Sequence, residues 1–128
     1  MPKSQLTSCI KDLDGNIIYE SDKCAFNDEL VQQCIRKNIS LKNASLAYAT
    51  LLRVQTLWKA DLEGADLSYA WITGLNSKYP NKFMASILRA GNLEGTEVWN
   101  PDLKKIGKEF QSEFVLRGGI FKPHSHGY

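Results

Sequence analysis

The chain has 128 residues, 43% of them apolar and 23% charged, which suits one domain with a modest buried core. Its net charge of +2 divides into −1 over residues 1–38, +1 over 39–98 and +2 over 99–128, too little for a phosphate-binding groove or an acidic imitation of duplex DNA. No apolar run approaches the roughly 20 residues that span a bilayer, and the first residues lack the apolar core of a secretion signal.

Cys9, Cys24 and Cys34 make an odd count without CxxC spacing, and read as buried thiols of a reducing cytosol. Residues 5–21 read as a β-hairpin turning at Asp14-Gly15, a type I′ signal that needs φ > 0 at both positions. Residues 27–37 read as a helix with Asn27 as N-cap and Asp28 and Glu29 at its positive end. Phe26 and Val31 are placed for a hydrophobic staple. Leu30, Val31, Cys34 and Ile35 form an apolar stripe that needs a partner, and Asn38 is the helix stop. Such a helix suits a cap over the end of the next section of chain.

That section, from Ile39 to Gly74, repeats with a spacing of five: ISLKN ASLAY ATLLR VQTLWK ADLEG ADLSY AWITG. After Ile39 the blocks open on Ala44, Ala49, Val54, Ala60, Ala65 and Ala70. Two residues later stand Leu41, Leu46, Leu51, Thr56, Leu62, Leu67 and Ile72. Neither the 3.6 period of a helix nor the 2 of a strand produces this. It suits a flat-sided coil with the opening residue and the Leu pointing inward. Residues 75–84 read as a loop, from Asn76, Ser77, Pro80 and Asn81. The pattern resumes over 85–98, although Phe83, Met84, Ile87 and Leu88 equally suit helical turns. Asn100 as N-cap, Pro101 at N1 and Asp102 start a last helix, with Leu103, Ile106, Phe110 and Phe114 on one face. Gly107 is an unfavourable interior residue there. Gly118-Gly119 ends the helix, a short extended piece comes next over 120–123, and 124–128 is a tail.

Ala60-Asp61-Leu62-Glu63-Gly64 and Ala65-Asp66-Leu67-Ser68-Tyr69 follow the A(D/N)LXX pattern, and here the chain resembles the pentapeptide-repeat proteins. The leader before the repeats is similar to small repeat proteins of bacteriophage genomes. The resemblance implies a mainly β fold: a short right-handed quadrilateral β-helix of about three coils. An N-terminal β-hairpin plus helix cap (1–38) would precede the repeat section (39–98, interrupted at 75–84). The C-terminal helix and tail (99–128) would close a single domain, 1–128. Blocks four apart would then stack at roughly 4.8 Å. Leu41 meets Leu62, Leu46 meets Leu67 and Leu51 meets Ile72, with an extra residue bulged near Leu57-Trp58.

Function would lie on the outward positions. Tyr48 and Tyr69 fall one coil apart on one face, and Trp71 stands over Thr50. Trp58 sits at the irregular block, and both it and Trp71 are either turned outward or covered by the capping elements or the 75–84 loop. With Arg53, these are the candidate partner-binding residues. No catalytic set stands out: Asp61, Glu63 and Asp66 belong to the repeat pattern, and His124 and His126 have no placed metal-ligand partner. Cys24 and Cys34 read as packing residues. The expectation is a cytoplasmic, non-enzymatic protein without cofactor or metal that binds a bacterial protein or protein complex. Its specific form would be a phage-type inhibitor of a host system, such as an anti-CRISPR. Two alternatives stand beside it. The resemblance also implies a DNA mimic acting on DNA gyrase, which the near-neutral repeat section disfavours. Lys104, Lys105 and Lys108 on the last helix would be the basis of weak nucleic-acid binding.

Overall fold

The computed structural model describes residues 7–74 and 78–122. The hairpin is present, as β1 (Thr7–Lys11) and β2 (Ile17–Ala25) paired antiparallel. Its turn differs from the expected type I′. Gly15 donates its N–H to Asp12 O at 3.0 Å and takes φ +89°, while Asp14 is not in the left-handed region. This is a type I turn closed by a left-handed glycine. The Asp12 side chain shapes it, accepting the N–H groups of Asp14 and Asn16 at 2.9 Å each.

Helix α1 (Asn27–Arg36) comes next, with Phe26 rather than Asn27 as the N-cap. The Glu29 carboxylate accepts the Phe26 N–H at 3.5 Å, and the Phe26 ring is exposed rather than stapled. The C-terminal stop is Asn38, as expected. It adopts φ +58°, and N–H bonds run from Ile39 to Cys34 O (2.8 Å) and from Asn38 to Ile35 O (3.2 Å). That is a Schellman closure with Asn at the left-handed position. Leu30, Val31 and Cys34 are fully buried.

Beyond α1 the chain winds so that short strands stack in parallel. These are β3 (Thr50–Leu51), β4 (Trp71–Thr73), β5 (Glu97–Trp99) and β6 (Ile120–Lys122), in that spatial order. Thr50 pairs with Trp71 and Leu51 with Ile72, at the anticipated offset. The same offset carries N–H bonds from Leu41 to Asp61 O and from Leu46 to Asp66 O, 2.9 Å each. The blocks turn alike, with Ala44, Ala49, Ala65 and Ala70 each donating to the carbonyl of the Leu three residues earlier, at 2.9 to 3.1 Å. Those Leu and Ala side chains are buried.

The fold class departs from expectation. Among the described residues the architecture is an α/β mix of a four-stranded parallel sheet, a two-stranded antiparallel sheet and three α-helices. It is not a mainly β right-handed quadrilateral β-helix. The reason lies between β4 and β5. Helix α2 (Pro80–Leu88) occupies part of the span expected to be loop, with Pro80 opening the helix rather than breaking a strand. Asn76 and Ser77 lie outside the described residues. The strand offset grows from 21 residues (Thr50 to Trp71) to 26 (Trp71 to Glu97) to admit the helix. Of the two readings of Phe83 to Leu88, the helical one holds. The ladder resumes at Asn92, which bridges Asp66.

The last helix also starts later than expected. Asn100 is not its N-cap: it takes φ +54° and donates its N–H to Lys122 O at 2.8 Å, serving the sheet. Helix α3 (Lys108–Leu116) begins after Gly107, which therefore sits at the N-cap and not inside. Leu103 and Ile106 precede the helix. The short extended piece is β6, whose Phe121 pairs with Val98 and packs on Phe114, ring centroids 4.9 Å apart.

The hairpin and α1 lie at the β3 end of the stack. Asp12 bridges Ala44, Ser45 donates its N–H to Lys11 O at 2.8 Å, and α1 packs on β3. The edge is thereby covered. One buried cluster runs from Ile10 to Phe114. Among the described residues, no helix is long and apolar enough to cross a membrane.

Candidate functional site

The turns of the blocks set what faces outward. Five of them place the residue before the block-opening position in the left-handed region, namely Asn43 (φ +59°), Tyr48 (+64°), Gly64 (+71°), Tyr69 (+60°) and Gly95 (+69°), whereas Arg53 and Lys59, at the same place in their blocks, are not in it. Asn and Gly accept that conformation readily, whereas a tyrosine does not. Tyr48 and Tyr69 nevertheless occupy it one turn of chain apart. Their rings stack with centroids 5.1 Å apart and planes inclined by 14°, and they are 72% and 46% exposed. The expected ladder is present. Gly95, next in the column, makes room for it: a Cβ there would fall 2.4 Å from the Tyr69 ring.

Two residues beyond Tyr69, Trp71 is in register with Thr50, as anticipated, and of the two readings of its surroundings the exposed one holds. Its ring lies 4.9 Å from that of Trp99, centroid to centroid. Glu97, which pairs with Trp71 across the ladder, accepts the Trp99 indole N–H at 2.7 Å and fixes that ring beside it. Tyr48, Tyr69, Trp71 and Trp99 thus stand on neighbouring outward columns. Trp99 escaped the reading of the sequence because the block count fails across α2. The signal available was that Val98 resembles the inward Ile72, which places Trp99 two positions after Glu97 in the β4 pattern.

The other two candidates are elsewhere. Trp58 is half-buried on a 3₁₀ turn (Leu57–Lys59), edge-on to Tyr79 with ring centroids 4.6 Å apart. Arg53 is committed to α1. Its Nε and Nη2 donate to the two oxygens of the buried Asp28 carboxylate at 2.6 and 3.2 Å, and Gln32 donates to Arg53 O at 2.7 Å. The Arg53 side chain is 67% exposed, but its fork is already used.

Asp61 accepts the Ser40 hydroxyl at 2.9 Å and the Glu63 N–H at 3.2 Å, with Arg89 at 3.8 Å. Those bonds, Ser40 foremost, hold its carboxyl below the ordinary 3.8. Burial pushes the Cys34 thiol up to about 11, so it is protonated at neutral pH and a poor nucleophile. The Cys24 side chain, His124 and His126 lie outside the described residues. Of the three lysines assigned to the last helix, only Lys108 is on it. Lys104 and Lys105 are in the turn before it, Lys105 lying 3.8 Å from Asp102. No protein-family model, curated protein or solved structure matches this chain.

Proposed function

We propose that this chain is a non-enzymatic binding protein that occupies a partner protein with the face formed by Tyr48, Tyr69, Trp71 and Trp99. The observation that carries the reading is the pair of tyrosines at left-handed φ. A side chain other than Gly or Asn costs about 1–2 kcal/mol at each such position. One stacked aromatic pair returns only about 0.5–1.5 kcal/mol. Stability alone therefore favours Gly or Asn at both corners, as at positions 43, 64 and 95. Backbone strain kept at an exposed place points to what the side chain presents. Large, rigid aromatics grouped on one face are suited to anchoring a protein interface.

The resemblance of the repeats and leader to small pentapeptide-repeat proteins of bacteriophages supports a more specific form. In it the chain is an inhibitor that occupies a bacterial host protein complex in the cytoplasm, an anti-CRISPR or other anti-defence role. The test is affinity capture from bacterial lysate with the wild type and with Tyr48→Gly/Tyr69→Gly. Glycine removes both rings and relieves both backbones, so the variant keeps a melting temperature close to that of the wild type. A protein captured near stoichiometry by the wild type and lost from the variant is the expected result. Capture of no protein, or equal capture by the variant, overturns the assignment.

A further inference from the structure

A second aromatic cluster has a different character. Trp58 on the 3₁₀ turn and Tyr79 at the N-cap of α2 meet edge-on, and beside the two rings lies an open cleft of about 480 Å³, lined by Gln55, Thr56, Trp58, Lys59, Lys78 and Tyr79. That volume lies within the range of small-ligand sites. The walls are fixed. Buried Ser86 of α2 points its hydroxyl at Leu57 O and Ala60 O, at 3.1 and 2.8 Å, and so clips the turn to the helix. Leu57 anchors the turn in the core.

Three ammonium groups converge on the two rings. Lys59 Nζ is 5.3 Å from the Trp58 ring, Lys82 Nζ is 5.7 Å from Trp58 and 4.9 Å from Tyr79, and Lys78 Nζ is 5.9 Å from Tyr79. The cavity lining holds no carboxylate, the first turn of α2 has no acid, and among the described residues none of these lysines is in an ion pair. The positive end of α2 adds to the same field. Like charges gathered without a counter-charge repel one another, and the aromatic faces compensate only partly. The cleft therefore carries positive charge that its own lining does not neutralise.

We infer that this cleft binds a nucleotide, with the base against Trp58 and Tyr79 and the phosphate at Lys59 and Lys78 of the lining, where Lys82, over the same two rings, adds its charge from beside it. Stacking needs only the π-face of a base, and ammonium groups serve phosphate as mobile point charges. Gln55 and Thr56 bring polar side chains to the same cavity, suited to a base edge or a ribose hydroxyl. A free nucleotide and the exposed end of a single strand share this chemistry. The site is independent of the tyrosine face.

The chain has three tryptophans, so the indole N–H signals in a two-dimensional ¹H–¹⁵N spectrum separate the two regions. Trp58→Phe identifies the Trp58 signal. The full chain is titrated in low salt with ATP, with a single-stranded oligothymidine of roughly eight nucleotides, and with pyrophosphate. Movement of the Trp58 signal with ATP or with the oligonucleotide, whichever binds tighter naming the source, is the expected result. Pyrophosphate should bind at least tenfold more weakly than the better of the two, about the contribution of one stacked base. Lys59→Glu/Lys82→Glu alters only exposed side chains, and should abolish the shift at an unchanged melting temperature. Tyr48→Gly/Tyr69→Gly should leave it intact. Equal binding of pyrophosphate, movement confined to Trp71 and Trp99, or no movement with any of the three overturns the inference.

Discussion

Residues 41–73 and residues 74–122 use the same construction, a chain winding back under itself in parallel, but they solve it differently. In the first stretch one offset of 21 residues relates Thr50 to Trp71 and Leu51 to Ile72. Most blocks turn at their fourth and fifth residues, and small and large apolar side chains alternate inward except at the irregular block, where Thr56 is exposed and Leu57 is buried in its stead. In the second stretch the offset is 26 between β4 and β5 and 23 between β5 and β6. The excess over 21 is five and then two residues, fewer than the nine of α2 or of α3, so each helix takes the place of block residues rather than being added to them. The lesson concerns where volume comes from. A five-residue block supplies one Leu and one Ala to the interior, and neighbours must match it closely. A helix supplies Phe83, Met84 and Ile87 from one face, and can sit against the stack without sharing its register.

This contrast is broken most forcefully at Leu67, the centre of a column that runs Leu46, Leu67, Leu93. All three are buried, and the bridges of Ser45 to Asp66 and of Asp66 to Asn92 set them level. Leu67→Ala should cost about 2–5 kcal/mol, because a rigid ladder cannot collapse onto the hole. The urea midpoint reads it. A loss below about 1 kcal/mol, closer to that of a tolerated surface change, would mean that the column yields and the first stretch is no stiffer than the second.

The same substitution in both stretches sharpens the comparison. Ala65 is fully buried at a block opening, whereas Ala85 is on the exposed face of α2. Ala65→Leu should overpack the interior and cost about 1–3 kcal/mol. Ala85→Leu should stay within about 0.5 kcal/mol of the wild type, since both residues are good helix formers. Equal effects at the two sites would remove the distinction between matched blocks and a docked helix.

The sequence was most legible where side-chain size itself encodes position. Leu41, Leu46 and Leu51 find Leu62, Leu67 and Ile72 because only one offset superimposes the blocks, and the Tyr48–Tyr69 stack results from it. Local signals were weaker where two structures share one signature. Pro80 fits a loop and equally the first position of a helix, and only the burial of Phe83 and Met84 decides for the helix. Asn100-Pro101-Asp102 has the form of a helix start, yet the Asn100 N–H is taken by Lys122 O, a partner 22 residues away that no local pattern announces. The same long-range pairing hid Trp99 and, with it, half of the indole pair on the candidate face. Tyr79 was hidden by its place beside Pro80, in a span read as loop. The mainly β expectation failed for the same cause, since a block period counts blocks and is blind to a helix lodged between two of them.

The smallest expected effect is a dependence of stability on pH, with one limb for the seam between the two stretches and one for the cap. Asp61 binds the Ser40 hydroxyl from one turn of chain and lies near Arg89 from just after α2. Ser40, then the Glu63 N–H and the Arg89 and Lys42 charges, lower its carboxyl from 3.8. A carboxyl lowered by folding lends stability that is present above its unfolded value and is lost as pH falls through the folded one. Stability should therefore drop below about pH 4, and Ser40→Ala should flatten that fall. At the cap the sign reverses. Burial raises Cys34 from 9.0 to about 11, so its contribution is complete below 9.0 and is lost as pH rises toward 11. Urea midpoints measured across both limbs read the two groups separately. Cys34→Ala should reduce the alkaline slope while leaving the acid limb unchanged, and Ser40→Ala should do the converse. An alkaline slope identical in wild type and Cys34→Ala would show that the thiol under α1 ionises as freely as it does in the unfolded chain, and that the cap opens well before the stack beneath it.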